Sequence, residues 1–317
     1  MAKDTISVVI PAYNEEGNIV KLYEENKAAL VGLVKAGEIS GFEVIVVNDG
    51  SSDGMDKKLE ALKKKEKNLL RVIEFRRNFG QTPAMRAGFG IAKGSLIVTM
   101  DGDLQNDPAD IPQLLKKMRA DDLDVVTGWR HNRKDRFGKR IASKLMNALR
   151  KDVIGDELHD YGCSLKIYKR ECLQDLELFG ELHRYITAYL YIKGYKIGEV
   201  KVNHRQRHAG LTKYNFSRGI NGIMDLFFLK FWASYSDRPL HFFGRIGIWS
   251  WVAAVLLLIE QIVKAFMIGS LEFGPVLAFA SLLVIMGGLA VVFGFIFEML
   301  SRNHYKDKDM YSVKKVL

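Results

Sequence analysis

The sequence predicts an α/β protein in which a doubly wound, mostly parallel sheet is followed by interfacial helices and two transmembrane helices. Three observations support this class. Apolar strands alternate with helical stretches over the first 130 residues, a pattern typical of repeated βα units. Three of these strands end in polar residues. Farther along, residues 273–297 form a run of 25 residues without a charge, which is long enough to cross a hydrocarbon core about 30 Å thick.

The predicted elements of the first part alternate regularly. Short apolar runs indicate strands near residues 6–10, 42–47, 70–75, 95–100 and 124–128. The stretches between and after them indicate helices near residues 15–36, 55–67, 82–92 and 108–119. Because a helix connects most consecutive strands, we expect the strands to lie parallel in one sheet.

Polar segments follow three of the predicted strands. The strand Ile6–Ile10 leads into residues 11–16, which read Pro-Ala-Tyr-Asn-Glu-Glu. The strand Phe42–Val47 leads into residues 48–53, which read Asn-Asp-Gly-Ser-Ser-Asp. Ligands of open α/β sheets bind in the crevice outside the carboxyl ends of the strands. We therefore expect these segments to contribute to one binding site.

The third segment supplies candidate metal ligands. An uncharged strand ends at Asp101, Asp103 and Gln105, and carboxylates two residues apart on an extended segment point the same way. Oxygen ligands suit Mg²⁺ or Mn²⁺, which bind through one or two carboxylates together with phosphate oxygens. The alternative is that Asp-Gly-Asp only forms a turn after a buried strand.

Composition limits the compartment and the partners. The 317 residues carry a formal net charge of +10, which is compatible with nucleic acid, a phospholipid surface or an anionic substrate. The two cysteines form no metal-binding or disulfide pattern, so a reducing compartment is expected. No apolar signal region precedes the first strand, and the first part of the chain is therefore expected in the cytoplasm.

A basic segment follows the last predicted strand. Between Arg130 and Lys151, basic residues are interleaved with apolar residues at positions 137, 141, 145 and 149. This spacing predicts an amphipathic helix suited to an anionic membrane surface or to phosphate. The alternative is an ordinary solvated face on a helix that packs against the core.

The last third of the sequence predicts attachment to a membrane. Phe273–Phe297 is expected to span the bilayer, and Leu240–Ile268 to span it as well, although charged residues interrupt this second run. A buried amphipathic hairpin is the alternative for Leu240–Ile268. Basic residues flank the pair on both outer sides, which places both flanks in the cytoplasm. Tyr214–Tyr235 is predicted to lie on the bilayer surface, with core packing as the alternative for its first half.

These observations divide the chain into four parts. They are a cytoplasmic α/β domain (1–213), juxtamembrane interfacial helices (214–239), a two-helix transmembrane domain (240–301) and a basic cytoplasmic tail (302–317).

Several motifs resemble those of family 2 glycosyltransferases of the GT-A fold. They are Val-Val-Ile-Pro-Ala-Tyr-Asn-Glu at 8–15, Val-Asn-Asp-Gly-Ser-Ser-Asp at 47–53, Arg-Asn-Phe-Gly-Gln at 77–81 and Asp-Gly-Asp-Leu-Gln at 101–105. The stretch 160–170 is similar to the polyprenyl-phosphate glycosyltransferases, the group that includes dolichol-phosphate mannose synthase, the GtrB-type glucosyl transferases and the aminoarabinose transferase. The resemblance covers nearly the whole chain, including the C-terminal pair of apolar segments.

The resemblance implies an activity and its partners. An enzyme of this group is an integral protein of the cytoplasmic membrane that transfers a hexose-type sugar from a nucleotide sugar, here a UDP-sugar by preference, to polyprenyl phosphate with inversion. It would use Mg²⁺ or Mn²⁺ and would form a homo-oligomer, as tetramers are common among related enzymes. Nucleic acid is not an expected partner, because the basic segment lacks a recognised groove-reading motif.

The resemblance also assigns site residues. The residues similar to those that bind the nucleotide sugar are Pro11, Tyr13, Glu15, Asp49 and Asp101. Asp101, Asp103 and Gln105 match metal and diphosphate ligands. Catalytic roles fall to Asp103 and Asp160, although Asp160 would position a substrate rather than remove a proton. The residues similar to those that bind lipid phosphate or diphosphate are Arg130, Arg140, Ser143, Arg205 and Lys213.

Two other functions are weighed against this one. A processive polysaccharide synthase would carry a Gln-x-x-Arg-Trp motif, which is absent from the sequence, and two spans form a poor polymer channel. A non-catalytic basic membrane-binding scaffold would not need the acidic cluster. The sugar itself is not predicted; Asp160, Tyr161 and the segment 181–185 are the positions expected to select it.

Overall fold

The structure is a computed structural model that describes residues 3–131, 158–174, 182–205, 238–269 and 274–305 and a few isolated positions between them. The chain divides into two compact units, residues 1–226 and 227–317. The predicted basic helix after Arg130, most of the predicted interfacial helix, the domain boundary at residue 213 and the tail after residue 305 lie outside the described residues.

The first unit contains a sheet with helices on both faces. Its strands are β1 (Thr5–Ala12), β2 (Gly41–Asn48), β3 (Leu70–Glu74), β4 (Leu96–Thr99), β5 (Val125–Trp129), β6 (Lys166–Lys169) and β7 (Ile197–Lys201). Its helices are α1 (Ile19–Lys35), α2 (Met55–Lys65), α3 (Gln81–Ile91), α4 (Ile111–Ala120), α5 (Glu171–Gln174) and α6 (Ile186–Ile192). Short 3₁₀ helices at Pro108–Asp110 and Leu182–Tyr185 precede α4 and α6.

The sheet confirms the doubly wound, mostly parallel prediction. The strand order is β3-β2-β1-β4-β6-β5-β7. β1 pairs in parallel with both β2 and β4, and β5 pairs in parallel with β7. Only β6 runs antiparallel to its neighbours β4 and β5 among the described strands. The sequence analysis did not predict β6 and β7, which are four and five residues long.

The core forms two layers because successive residues of a strand face opposite sides of the sheet. Val8 and Val46 belong to the layer that includes residues of α1, α2 and α4. Val9 and Ile45 belong to the layer that includes residues of α3 and α6. Helices therefore cover both faces, as expected for strands that are buried on both sides.

The first helix begins later than the sequence pattern predicted. α1 starts at Ile19 rather than near residue 15. Asn14 has a left-handed backbone with φ of 56°, a conformation that Asn tolerates better than most residues. Its side-chain oxygen accepts a hydrogen bond from the Ser52 backbone at 2.8 Å. Residues 13–18 therefore form a turn that is bound to the segment after β2.

The second unit contains two long apolar helices, α7 (Pro239–Ile268) and α8 (Pro275–Tyr305). Both are long and apolar enough to cross a membrane, and they lie where the sequence analysis predicted two spans. They pack closely through glycine: a Cβ atom at Gly287 would lie 2.6 Å from the Trp251 ring. The Trp251 indole also donates a hydrogen bond to the Val284 carbonyl at 3.0 Å. Most other large apolar side chains of this pair are exposed, contrary to the alternative of a buried hairpin.

Candidate active site

The candidate site lies at the carboxyl edge of the parallel strands. Asp49 follows β2, Asp101 follows β4 and Arg130 follows β5. β4 and β5 flank β6, and Lys166 at the start of β6 is in register with Thr99 and Thr127. The antiparallel direction of β6 therefore brings the segment 160–165 to the same edge as the acidic loop after β4.

The acidic loop places two carboxylates side by side. Asp101 accepts a hydrogen bond from the Gln81 amide at 2.7 Å, and the backbone of Asp101 donates to the Ser164 hydroxyl at 3.2 Å. Asp103 is 6 % exposed and accepts a hydrogen bond from the Gln105 backbone at 3.1 Å. Burial raises the pKa of Asp101, and the charge of Asp103 raises it further. The negative charges of the two carboxylates therefore repel each other.

The oxygen ligands of this loop fit a divalent cation. A cation between Asp101 and Asp103 would remove their repulsion, and Gln105 belongs to the same turn. Among the residues that the structure describes, no three His, Cys, Asp or Glu side chains are grouped for metal binding. Carboxylate and amide oxygens are ligands that suit Mg²⁺ or Mn²⁺, which commonly take further ligands from phosphates and water.

Asp49 organises a neighbouring loop. Its carboxylate accepts hydrogen bonds from the Asn78 amide at 3.0 Å and from the backbones of Phe79 and Gly80 at 2.7 and 2.8 Å. Burial raises the pKa of Asp49, while the two backbone hydrogen bonds oppose that rise. Because Gly80 precedes Gln81, this loop fixes the residue that contacts Asp101. Asp49 was predicted to bind the nucleotide, and the structure shows that its carboxylate already holds this loop.

The segment after β1 is joined to the segment after β2. The Asn14 backbone donates to the Ser51 hydroxyl at 2.9 Å, and the Glu16 backbone donates to Asp53 at 2.8 Å. Glu15 accepts a hydrogen bond from the Asn18 amide at 2.6 Å. Pro11 ends up within β1, and Tyr13 and Glu15 lie in the turn that follows. The structure therefore brings these predicted nucleotide-binding residues to the predicted edge of the sheet.

Arg130 and Asp160 form a two-point ion pair. The Arg130 Nε and Nη2 atoms lie 2.7 and 2.9 Å from the two oxygens of Asp160. The Arg130 and Gly162 backbones also donate to this carboxylate, at 3.2 and 3.1 Å. Both side chains are largely buried, with exposed fractions of 12 % and 8 %. Four hydrogen bonds therefore fix the orientation of the Asp160 carboxylate.

Arg205 lies beside the acidic loop. Its backbone donates to the Gln105 carbonyl at 2.9 Å, and its guanidinium contacts Glu25 at 2.5 Å and Asp107 at 2.7 Å. Arg205 also lines a cavity of about 340 Å³ together with His131, Lys201 and His204. The structure thus places Arg205 near the expected site, with its charge shared between two carboxylates. Arg140, Ser143 and Lys213 lie outside the described residues.

The site contains residues that the sequence analysis did not assign. Gln81 contacts Asp101, and the Ser164 hydroxyl accepts hydrogen bonds from the Asp101 backbone and from the Asn106 amide, the latter at 2.6 Å. The Thr82 hydroxyl lies 2.7 Å from the His183 ring. Gln81 and Ser164 occur within the motifs at 77–81 and 160–170, which are the only sequence signal for them. His183 belongs to the segment expected to select the sugar.

This combination of sheet and acidic edge defines a class of protein: the doubly wound nucleotide-binding enzymes with a GT-A fold. The chain belongs to glycosyl transferase family 2, whose family model matches residues 7–177. Family membership and fold confirm the resemblance drawn from the motifs. They also favour an enzyme over the alternative of a non-catalytic scaffold.

Two relatives match nearly the whole chain. A dodecaprenyl-phosphate galacturonate synthase from Rhizobium johnstonii is 39% identical over 307 residues, which cover 95% of this chain and 89% of the relative. An undecaprenyl-phosphate 4-deoxy-4-formamido-L-arabinose transferase from Proteus mirabilis is 33% identical over 316 residues, which cover 98% of this chain and 94% of the relative. The similarity therefore includes the two C-terminal helices as well as the α/β unit.

A solved structure supports the fold. The crystal structure of glucosyl-3-phosphoglycerate synthase from Mycobacterium tuberculosis in complex with Mn²⁺, uridine diphosphate and phosphoglyceric acid has a TM-score of 0.55 to this chain. The match is 22% identical and covers 72% of this chain and 78% of that chain.

Proposed function

We propose that this protein is a membrane-bound, inverting glycosyltransferase that moves a hexose-type sugar from a UDP-sugar to a polyprenyl phosphate. The observation that carries the proposal is the acidic pair Asp101 and Asp103 at the carboxyl edge of the sheet, in a chain that matches polyprenyl-phosphate sugar transferases along nearly its whole length. The product would be a lipid-linked sugar that serves as a donor for a later transfer.

In this proposal a divalent cation, Mg²⁺ or Mn²⁺, is held by Asp101, Asp103 and Gln105. When bound, the cation would neutralise the diphosphate that departs with the nucleoside. The two carboxylates are oriented before any ligand binds. The Gln81 amide holds Asp101, and the Gln105 backbone holds Asp103. Pro11, Tyr13, Glu15 and Asp49 are assigned to the nucleotide part, with Asp49 acting through the loop 78–80 that it holds.

The acceptor in this proposal needs no strong general base. A phosphate monoester has its second pKa near 6 and is largely ionised at neutral pH. The paired Asp160 fits this expectation, because its two oxygens hold the Arg130 guanidinium in a fixed plane. Arg130 would present its remaining edge to a phosphate oxygen. Arg205, with Arg140, Ser143 and Lys213 from outside the described residues, completes the proposed phosphate-binding set.

Inversion follows from a single displacement. If the lipid phosphate attacks the anomeric carbon as the nucleoside diphosphate leaves from the opposite side, an α-linked donor gives a β-linked product. Holding both reactants in line at one site supplies much of the rate enhancement.

The membrane part of the proposal rests on the second unit. The helices α7 and α8 are long and apolar enough to span a bilayer, and basic residues flank the pair on both outer sides. By the positive-inside rule, both flanks and the α/β unit lie in the cytoplasm. The protein would then be held at the cytoplasmic membrane, in which a polyprenyl acceptor resides. Assembly into a homo-oligomer, of which a tetramer is one form, is part of the same proposal.

The experiment is a donor panel. The purified full-length protein in detergent is incubated with undecaprenyl phosphate, with Mg²⁺ or Mn²⁺, and with one nucleotide sugar at a time; UDP-galacturonate, UDP-glucose, UDP-N-acetylhexosamines, UDP-4-deoxy-4-formamido-L-arabinose and GDP-mannose form the panel. We expect one UDP-sugar to give a lipid-linked monosaccharide and to release UDP only when metal is present. A polymeric product, or no lipid-linked product from any donor, would contradict the proposal.

A further inference from the structure

A lysine is buried below the candidate site. Lys166, the first residue of β6, is 3 % exposed. Its ammonium donates hydrogen bonds to the Tyr161 carbonyl at 3.2 Å and to the Thr187 hydroxyl at 3.4 Å. Among the described residues, no carboxylate lies within ion-pairing distance of this ammonium. Both of its partners are therefore neutral oxygens.

Burial of the Lys166 ammonium lowers the stability of the folded protein. Lysine is almost never fully buried unless it is paired, because its charge loses its hydration. Burial accordingly lowers the pKa of Lys166 to about 8, although the negative charges of Asp160 and Asp101 oppose the shift. An apolar residue of similar length could fill the same space without that cost. A group that weakens the fold in this way calls for a role other than packing.

The position of Lys166 connects both halves of the candidate site. Its neighbours across the sheet are Thr99, two residues before Asp101, and Thr127, three residues before Arg130. Tyr161, whose carbonyl it holds, directly follows Asp160. The other partner, Thr187, is fully buried in α6. The ammonium thus ties the loop that carries Asp160 to a helix on one face of the sheet.

We infer that Lys166 is a positioning residue that holds the Asp160–Arg130 pair in place for the transfer reaction. The inference rests on the proposed function, because the reaction that Lys166 would support is the sugar transfer proposed above. The effect is transmitted through a series of contacts. Thr187 and the ammonium fix the Tyr161 carbonyl, this fixes the backbone of Asp160, and the carboxylate of Asp160 fixes the plane of the Arg130 guanidinium. Lys166 acts through these groups and does not touch the substrates.

The test compares three variants with the wild-type protein. Lys166→Met removes the charge and both hydrogen bonds while it keeps the length of the side chain. Thr187→Val removes one hydrogen-bond partner at nearly constant volume, and Thr187→Ser is its matched control because it keeps the hydroxyl. For each protein, kcat and KM for the active UDP-sugar, the melting temperature, and amide hydrogen exchange of residues 160–165 are measured.

We expect Lys166→Met to lower kcat by about 10-fold or more, since small displacements of positioned groups have effects of up to ~100-fold. KM for the donor should stay within a factor of about two, and the melting temperature should be equal to or higher than that of the wild-type protein. Exchange at 160–165 should be faster. Thr187→Val should shift kcat in the same direction, whereas Thr187→Ser should behave like the wild-type protein.

A kcat of Lys166→Met close to the wild-type value would overturn the inference, as would a loss of kcat that only follows a loss of folded protein. If Lys166→Met does not fold, the comparison of Thr187→Val with Thr187→Ser tests the inference instead. Equal kcat values for these two variants would overturn the inference. If the proposed function is wrong, the wild-type protein gives no lipid-linked product. The hydrogen exchange of residues 160–165 can still be compared between the wild-type protein and Lys166→Met in that case.

Discussion

The acidic residues of the site differ in the partners that hold them. Asp101 is held by a side-chain amide, Asp49 by a loop whose backbone donates to it, and Asp160 by a guanidinium. Each contact orients a carboxylate before substrate binds. Such preorganisation reduces the rearrangement needed during the reaction.

The sequence could identify these acids but not the contacts that hold them. Asp101, Asp103 and Gln105 lie in one short segment after an apolar strand, so local spacing is sufficient to predict them together. Gln81 is 20 positions from Asp101, and Ser164 is 63 positions from it. Contacts over such separations depend on how the strands are ordered in the sheet, and spacing along the chain does not reveal that order.

His183 gives a prediction about pH. Burial, together with the neighbouring positive charges of Arg184 and Lys166, lowers the pKa of His183 to about 3. In the unfolded chain the same ring titrates near 6.5. Between these values the unfolded state binds more protons, so the free energy of unfolding should fall as the pH falls below about 6.5. His183→Gln should reduce this dependence by up to ~1 kcal/mol per pH unit.

The measurement is urea unfolding of the full-length protein in detergent, followed by circular dichroism at pH 6.5 and pH 4.5. His131→Gln is the matched control, because His131 is exposed. Equal pH dependence in the wild-type protein and in His183→Gln would show that His183 is not a neutral buried ring.

At the scale of elements, α3 sits close to the sheet because of one glycine. A Cβ atom at Gly88 would lie 2.3 Å from a methyl group of Val9 in β1. This contact allows the helix to carry Gln81 at its first turn to within hydrogen-bonding distance of Asp101. A larger residue would force the helix away from β1.

We predict that Gly88→Ala lowers the free energy of unfolding by about 1–3 kcal/mol, because overpacking a dense core costs this much. Gly90→Ala is the control on the same helix, since a Cβ atom at Gly90 meets no atom within 4 Å. It should raise stability by roughly 0.5–1 kcal/mol, as alanine favours helix over glycine. Chemical unfolding of both variants checks the prediction, and equal effects of the two substitutions would contradict it.

The predictable elements were those with a strong local pattern. The bounds of β1, β2 and α2 lie within two residues of the predicted ones, whereas α1 begins four residues later than predicted. β6 was missed because it is only four residues long, begins with Lys166 and gains its stability from pairing on both sides with β4 and β5. Tertiary pairing of this kind overrides the weak propensity of a short segment.

At the scale of the whole molecule, the long apolar stretches near the C-terminus distinguish the second unit from the first in the sequence alone. The 25-residue uncharged run predicts a membrane span without any knowledge of tertiary structure. The contact between the two spans was not predictable in the same way. Gly247 and Gly287 look like ordinary membrane glycines in the sequence, yet a Cβ atom at Gly247 would lie 2.8 Å from the Gly287 carbonyl oxygen. Small residues at such contacts are common between membrane helices.

In the proposed function, the carboxylates after β4 bind a cation that is needed for sugar transfer to a lipid phosphate. The most direct measurement is the transfer rate of Asp103→Asn, with undecaprenyl phosphate and the active UDP-sugar, beside the wild-type protein and the control Asp121→Asn, a partly exposed carboxylate that pairs with Lys117. We expect a loss of at least ~100-fold for Asp103→Asn, an unchanged melting temperature and near-normal transfer by Asp121→Asn. Near-normal transfer by folded Asp103→Asn would contradict it.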